Sequence, residues 1–358
     1  MRKDISMSPG LAPATKLPEP ILDQIEISIW KGLYQADIIL PTFEQAFGKP
    51  AKTRDGEAWY WKELGLFISR REKWAYRVIR FPATAEVLTA ISPVLKLFPR
   101  KPNGKYAAQL FSAEIAWDFP ISHIDEEPEE QLQKIVAVTV PANRKAKLRQ
   151  KSSDFFYECS DGAINGLITF YFHSLSKYAE EEDTSQNEAE GNQQNKEESV
   201  RFSWMPSKEA TWRGKAYSKR LPEKKQWNIR FEVTLFGSAL KEAIGTFLPS
   251  ELTDLPKRLA GLRFDDFWSF EQFDWPAFME AARRSAKYKG ISFADIERST
   301  KVRYQLTRLN GLGVTMWQKR LARNIADIIG SKALKEKIGS KKFSTPLKAE
   351  DVLPKSDS

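Results

Sequence analysis

The chain has 358 residues, 41% of them hydrophobic, with 22 Phe, 11 Trp, 10 Tyr and a formal net charge of +9. This composition provides for one large or two ordinary packed domains and excludes a wholly disordered chain. A single cysteine, Cys159, excludes a disulfide framework and a thiolate zinc site. The positive balance favours a polyanionic partner, nucleic acid before an anionic membrane surface.

Residues 1–20 are rich in Pro and Ser and are expected to be a flexible lead without an apolar signal core. No run approaches membrane-spanning length, and the lone cysteine fits a reducing cytoplasm, so a cytoplasmic protein without a membrane partner is expected. Strand patterns follow at Gln24–Trp30, Ala58–Trp61, Leu66–Arg70 and Tyr76–Phe81. Ala83–Leu97 has helical spacing, and Tyr106–Phe119 reads as a long strand or a bulged pair. Glu126–Gln150 is charged and mostly helical, with Pro141 as an interruption, and Ile164–His173 is another strand. The stretch 179–199 is acidic, Gln/Asn-rich and nearly free of apolar residues, which predicts a disordered loop insertion.

Next comes the hairpin WRGKAYSKR–LPEKKQ–WNIRFEVTL, residues 212–235. Trp227, Ile229, Phe231, Val233 and Leu235 alternate with Asn228, Arg230, Glu232 and Thr234, while Arg213, Lys215, Tyr217 and Lys219 share one face of the partner. Period two with a short Pro-containing connection predicts antiparallel strands. Beyond Leu235 the pattern turns helical, at Ser238–Thr246, Leu252–Leu262 and Pro276–Tyr288. A pair over Thr300–Asn310 and Val314–Ile329 follows, so the last third is expected to be α.

The expected fold class is α+β: an antiparallel-sheet, nuclease-like domain with helices on one face, then a mostly helical C-terminal DNA-binding region. The expected boundaries are 1–20 for the lead, 21–250 for the α+β catalytic domain and 251–345 for the basic helical region. Residues 346–358 are expected to be a flexible tail.

Four strands repeat one design, an apolar face backed by a chemically loaded one. Glu114 and Asp118 lie opposite Ile115, Trp117 and Phe119; Thr169, Tyr171 and His173 lie opposite Ile168, Phe170 and Phe172. The hairpin adds Tyr217, Lys219, Arg230 and Glu232. Brought onto one sheet surface, these groups suit phosphodiester chemistry. Asp118, Glu232 and His173 are candidate ligands for Mg²⁺ or Mn²⁺, which polarises a phosphate. Lys219 and Arg230 are candidates to stabilise developing charge, and a tyrosine is a candidate nucleophile. The alternative is a solvated sheet face with cross-strand ion pairs. Two histidines, His123 and His173, give no support to a serine or cysteine hydrolase triad, and no Gly-rich phosphate loop is present.

Residues 283–343 hold sixteen Lys/Arg against four Asp/Glu. In Thr300–Asn310 an apolar stripe of Val302, Leu306 and Leu309 leaves Lys301, Arg303, Tyr304, Thr307 and Arg308 as candidate contacts to phosphates and base edges. Such a helix pair suits a helix-turn-helix arrangement.

The run ITFYFHS, followed by WRGKAYSKRLPEKKQWNIRFEVTLFGSALKEAIG, resembles replication initiators of the filamentous-phage gene II (II/X) type and related plasmid initiators. Tyr171, Tyr217 with Lys219, Leu221-Pro222, and Arg230 with Glu232 match the family's order of motifs. AEIAWDFP, which holds Asp118, and STKVRYQLTRLNGLGVTMW are similar to its acidic strand and its C-terminal segment. The resemblance spans roughly 106–330. It implies a rolling-circle enzyme that nicks origin DNA, joins a tyrosine to the 5′ phosphate and later religates, with a host helicase as a further candidate partner. The His-hydrophobe-His metal motif of many such nucleases is missing. Tyr217 is the first candidate nucleophile, with Tyr171 and Tyr304 behind it. The alternative is a non-catalytic protein that binds an origin or operator sequence. A single-stranded nucleic-acid binder is a third reading, although most aromatics fall on the apolar strand faces.

Overall fold

The computed structural model describes residues 17–35, 38–52, 58–69, 76–121, 128–142, 153–159, 168–174, 201–204, 212–221, 226–299, 302 and 315–354. The described strands are, in chain order, β1 (Ile21–Trp30), β2 (Ala51–Lys52), β3 (Ala58–Trp61), β4 (Leu66–Ser69), β5 (Tyr76–Pro82), β6 (Ala108–Pro120), β7 (Thr139–Pro141), β8 (Ser153–Cys159), β9 (Ile168–Ser174), β10 (Arg201–Trp204), β11 (Trp212–Leu221), β12 (Gln226–Phe236), β13 (Trp268–Phe273) and β14 (Ser344–Leu347). Eleven of them form one sheet in the order β2-β3-β4-β5-β1-β6-β12-β11-β10-β9-β8, and the other three form β14-β13-β7. All described pairings are antiparallel except that of β9 with β10. The molecule is therefore α+β, with one large, mainly antiparallel sheet and several helices.

Alternation decides which face of that sheet becomes the core. Ile25, Ile27 and Ile29 of β1, Ala113, Ile115, Trp117 and Phe119 of β6, and Ile229, Phe231, Val233 and Leu235 of β12 are all buried. A one-residue slip of any of these strands would expose its apolar set at about 1.5–3 kcal/mol per side chain, so burial fixes the register. Helices close this face. Ala85–Lys96 starts where the Thr84 hydroxyl accepts from the Val87 amide, and it buries Val87, Leu88, Ile91, Val94 and Leu95. Pro128–Val138 adds Leu132, Ile135 and Val136 to the same core.

Phe264 stands at the centre of an aromatic group, within 5.9 Å of the rings of Trp117, Phe119, Phe231 and Phe270. Trp268 packs on Phe231 and Trp212 and lies over Gly214, where any Cβ would overlap its ring. Gly214 is thus required by close approach rather than by an unusual backbone. A second core lies between the helices Trp275–Tyr288 and Thr315–Ile329 and contains Phe278, Ala282, Leu321, Ile325, Ile329 and Phe343.

Three expectations need correction. The stretch 346–358, expected to be a flexible tail, begins in ordered structure: β14 runs to Leu347, Ala349–Val352 is a helix, and Leu353 is buried. The last third is not purely α, because β13 and β14 pair with each other and β13 pairs with β7. The alternation is short, but Trp268 and Phe270 are large enough to anchor a strand by burial. The single helix expected over Leu252–Leu262 is a 3₁₀ turn, Pro249–Asp254, followed by the helix Leu255–Leu259. Pro256 has no amide hydrogen, so it opens the second helix and cannot continue the first turn. Of the predicted helix at Thr300–Asn310 only Val302 is described, buried in the second core, and the acidic stretch 179–199 lies outside the described residues.

Candidate active site

The polar faces of β6, β12 and β11 meet in register. Arg230 pairs across with Asp118 on one side and Tyr217 on the other, Glu232 lies opposite Lys215, and Thr234 lies opposite Glu114. The face therefore gathers the residues that alternation set apart. It is not a solvated surface: Glu232 is 1% exposed and Arg230 is 4% exposed.

Glu232 is the hub. The Tyr217 hydroxyl donates a hydrogen bond to Glu232 Oε1. Lys215 Nζ lies 2.5 Å from Glu232 Oε2, a close charge contact, and donates to Glu114 Oε1 at 3.2 Å. The Thr234 hydroxyl donates to Glu114 Oε2 at 3.3 Å. Arg230 makes a two-pronged contact with Asp118, each bond 2.6 Å, and its Nη1 donates to Asp23 Oδ1 at 2.9 Å. Along the same face Glu26 of β1 accepts from Arg80 at 3.0 Å and from Ser112 at 2.8 Å.

Asp23 reaches the cluster through a bulge. In β1 Leu22 pairs with Ile115 and Gln24 with Glu114, which leaves Asp23 as the extra residue between them. Strict alternation would put Asp23 on the face of Ile25, Ile27 and Ile29. The bulge turns it towards Arg230.

Burial and charge set the protonation of the group. Burial, then the neighbouring Glu114 carboxylate, pushes Glu232 up to about 7, against the pull of Lys215. Burial and the Glu232 charge push the Tyr217 phenol well above its ordinary value. For Lys215 burial alone would lower the value, but Glu114 and Glu232 outweigh it and hold the ammonium above its ordinary range. Burial would lower Arg230 as well, and its bonds to Asp118 overcome that and raise it.

The Glu232 shift has a stability consequence in metal-free protein. The folded state favours its protonated form, so its contribution is full below about 4.5 and is lost as pH rises towards about 7. Stability attributable to this residue is expected to fall across that window. Thermal unfolding against pH checks it, with Glu232→Gln, which cannot titrate, expected to remove that part of the slope.

Asp23, Glu114 and Glu232 bring carboxylate oxygens within 4.8 Å of one another, close enough to share one cation. Asp23, Glu114, Asp118 and Glu232 against Lys215 and Arg230 leave two formal negative charges in the contacting group, the charge that a divalent ion would balance. The all-oxygen donor set suits Mg²⁺ or Mn²⁺.

The residues singled out from sequence fall in different places. Tyr217, Arg230, Glu232 and Asp118 converge, but Asp118 is held by Arg230 at both oxygens, and the carboxylates that come within 4.8 Å of one another are those of Asp23, Glu114 and Glu232, themselves bonded to Arg230, Lys215, Thr234 and Tyr217. Lys219 is on the same face, opposite Asn228, and pairs with no described carboxylate. Lys215 occupies the position expected of Lys219. His173 sits on β9, three strands from β12 and roughly 14 Å away by strand spacing, and its side chain lies outside the described residues. Tyr171 shares that strand. Lys301, Arg303, Tyr304, Thr307 and Arg308 all lie outside the described residues.

Asp23, Glu114 and Lys215 were missed as site residues. The four-residue connection Pro222–Lys225 pairs Leu221 with Gln226, and counting back from there puts Lys215 opposite Glu232. Sequence carries no comparable signal for the bulge at Asp23. No family model matches the chain, and no curated protein matches its sequence. No described helix is long and apolar enough to cross a membrane.

Proposed function

We propose that the protein is a metal-dependent DNA nicking and joining enzyme that initiates rolling-circle replication through a tyrosyl-phosphate intermediate. The observation that carries this reading is the Tyr217 hydroxyl donating to the buried Glu232 carboxylate, with Lys215, Arg230 and two further acids around it.

Each group has a step. Glu232 would take the phenol proton as the Tyr217 oxygen bonds to phosphorus and the P–O3′ bond breaks; the departing 3′ oxygen takes a proton from water to leave as a 3′-hydroxyl, and religation reverses both transfers. A metal held by Asp23, Glu114 and Glu232 would polarise the scissile phosphate. Lys215 contributes positive charge beside the attacked centre. The raised Tyr217 value explains the need for an adjacent base, since a free phenol would seldom be ionised near neutral pH.

The competing reading is a non-catalytic DNA-binding protein whose buried charges are structural. Its specific support is that Lys215 and Arg230 already neutralise two of the carboxylates. One assay separates the two readings. Supercoiled DNA carrying the cognate origin, incubated with the protein and Mg²⁺ or Mn²⁺, is expected to give relaxed circles bearing covalently attached protein, and chelation is expected to stop the reaction. Retarded but uncut DNA would sink the enzymatic reading and leave the binding one.

A further inference from the structure

The most exposed large aromatic among the described residues stands in the middle of a cationic helix end. Tyr288, the last residue of the helix Trp275–Tyr288, is 93% exposed. Arg284 lies one turn before it on the same side, Lys287 and Lys289 flank it, and all three are exposed. The opposite side of the helix carries Phe278, Met279, Ala282 and Ala286 into the second core. The fold is satisfied by that apolar side alone, and nothing in the packing calls for an aromatic ring on the other.

The helix dipole explains part of the arrangement. Cations in a last helical turn are favoured, which covers Lys287 and Lys289. It does not explain a tyrosine between them with both ring faces in water. The charge is cancelled only in part. Arg284 meets Glu280 at 3.3 Å on an open surface, and Lys287 has no described carboxylate partner. Lys289 Nζ bonds the Gly330 carbonyl at 2.6 Å, so this helix end abuts the end of Thr315–Ile329. Beyond it lies a depression lined by Ala326, Asp327, Gly330, Ser331, Lys332 and Lys335, whose two lysines are met by Asp327 at 2.6 Å and Glu336 at 3.9 Å, so the open charge is that of the Tyr288 helix end.

We propose that this helix end binds single-stranded nucleic acid, with an unpaired base stacked on Tyr288 and the adjoining phosphates met by Arg284, Lys287 and Lys289. An open aromatic face among cations is how sequence-tolerant single-strand sites are built, because every base offers a π-face and every linkage a charge. Duplex DNA offers no free base face, so the ring selects the single strand. The site rests on the nucleic-acid reading of the basic C-terminal region but not on any nicking chemistry.

The test is binding of a labelled oligothymidine by the full chain, followed by anisotropy over a range of salt concentrations. Tyr288→Ala is expected to weaken binding about 5- to 150-fold, the equivalent of about 1–3 kcal/mol for one stacked base. Tyr288→Phe, which keeps the ring, is expected to bind as the parent does. Arg284→Gln with Lys287→Gln is expected to flatten the log–log salt slope by about 0.7 for each phosphate that is no longer neutralised. Because Tyr288 is exposed, the variants are expected to unfold at the parent temperature, and covalent adduct formation at Tyr217 on a minimal substrate is expected to persist. Unchanged affinity of Tyr288→Ala would overturn the site. So would equal losses in the Ala and Phe variants, or a patch needed for phosphatidylserine vesicles but not for the oligonucleotide. None of these results touches the nicking reading, which fails only if the parent forms no adduct.

Discussion

Tyr217→Phe is expected to form no covalent protein–DNA adduct, while origin DNA is still bound. The substitution removes the attacking oxygen and leaves the ring that packs beside Lys215. It also removes a hydrogen bond to a buried carboxylate, for which a loss of about 1.5–3 kcal/mol of stability is ordinary. Adduct formation must therefore be assayed well below the variant's own unfolding temperature, so that loss of chemistry is not confused with loss of fold. Denaturing electrophoresis of labelled DNA reads the adduct directly. A companion variant, Glu232→Gln, keeps the oxygen of Tyr217 but loses the base, and its adduct is expected to form about 10²–10⁴-fold more slowly. The pair discriminates between mechanisms. If Tyr217→Phe still forms the adduct, the nucleophile is elsewhere, with Tyr171 and Tyr304 next, and the Tyr217–Glu232 bond is only a buried donor meeting a buried acceptor.

Much of this site was legible because strand alternation is a strict code. Glu114 and Asp118 had to oppose Ile115, Trp117 and Phe119, and Arg230 and Glu232 had to oppose Phe231 and Val233. What alternation could not supply was sheet order and the bulge. β12 pairs with β6, more than a hundred residues earlier, and that pairing places Asp118 against Arg230 rather than free for a metal. Asp23 enters only because an extra residue in β1 reverses its direction. Lys215 was hidden for a milder reason, since a tyrosine and a lysine two residues apart drew notice to Lys219 while the cross-strand partner of Glu232 sits on the other side of the tyrosine. The short strand β13 was lost because six residues of aromatic alternation between helices carry little periodic signal before burial is known.

Arg230→Ala is expected to destabilise the protein by about 3–5 kcal/mol, among the largest effects of any single substitution in the sheet. The guanidinium is 4% exposed and holds two carboxylates that approach it from different strands. Removing it leaves Asp118 and Asp23 facing Glu232 and Glu114 without their main counter-charge, so the penalty comes from uncompensated anions more than from lost attraction. Side-chain exposures of 15% for Asp118 and 34% for Asp23 allow some hydration and set the expectation at the lower end of the range. Arg230→Lys is not expected to rescue, because one ammonium cannot replace a planar fork that meets both Asp118 oxygens and Asp23 at once. Adding Asp118→Ala to Arg230→Ala removes the stranded anion and is expected to recover part of the loss, and the double-mutant cycle in urea measures how much. The same geometry bears on chemistry. With its fork filled by Asp118, Arg230 can meet a phosphate only by giving up part of that pair. Asp118→Asn weakens the pair without emptying the site, so it is expected to strengthen DNA binding if Arg230 serves the phosphate and to leave it unchanged if Arg230 serves only the fold.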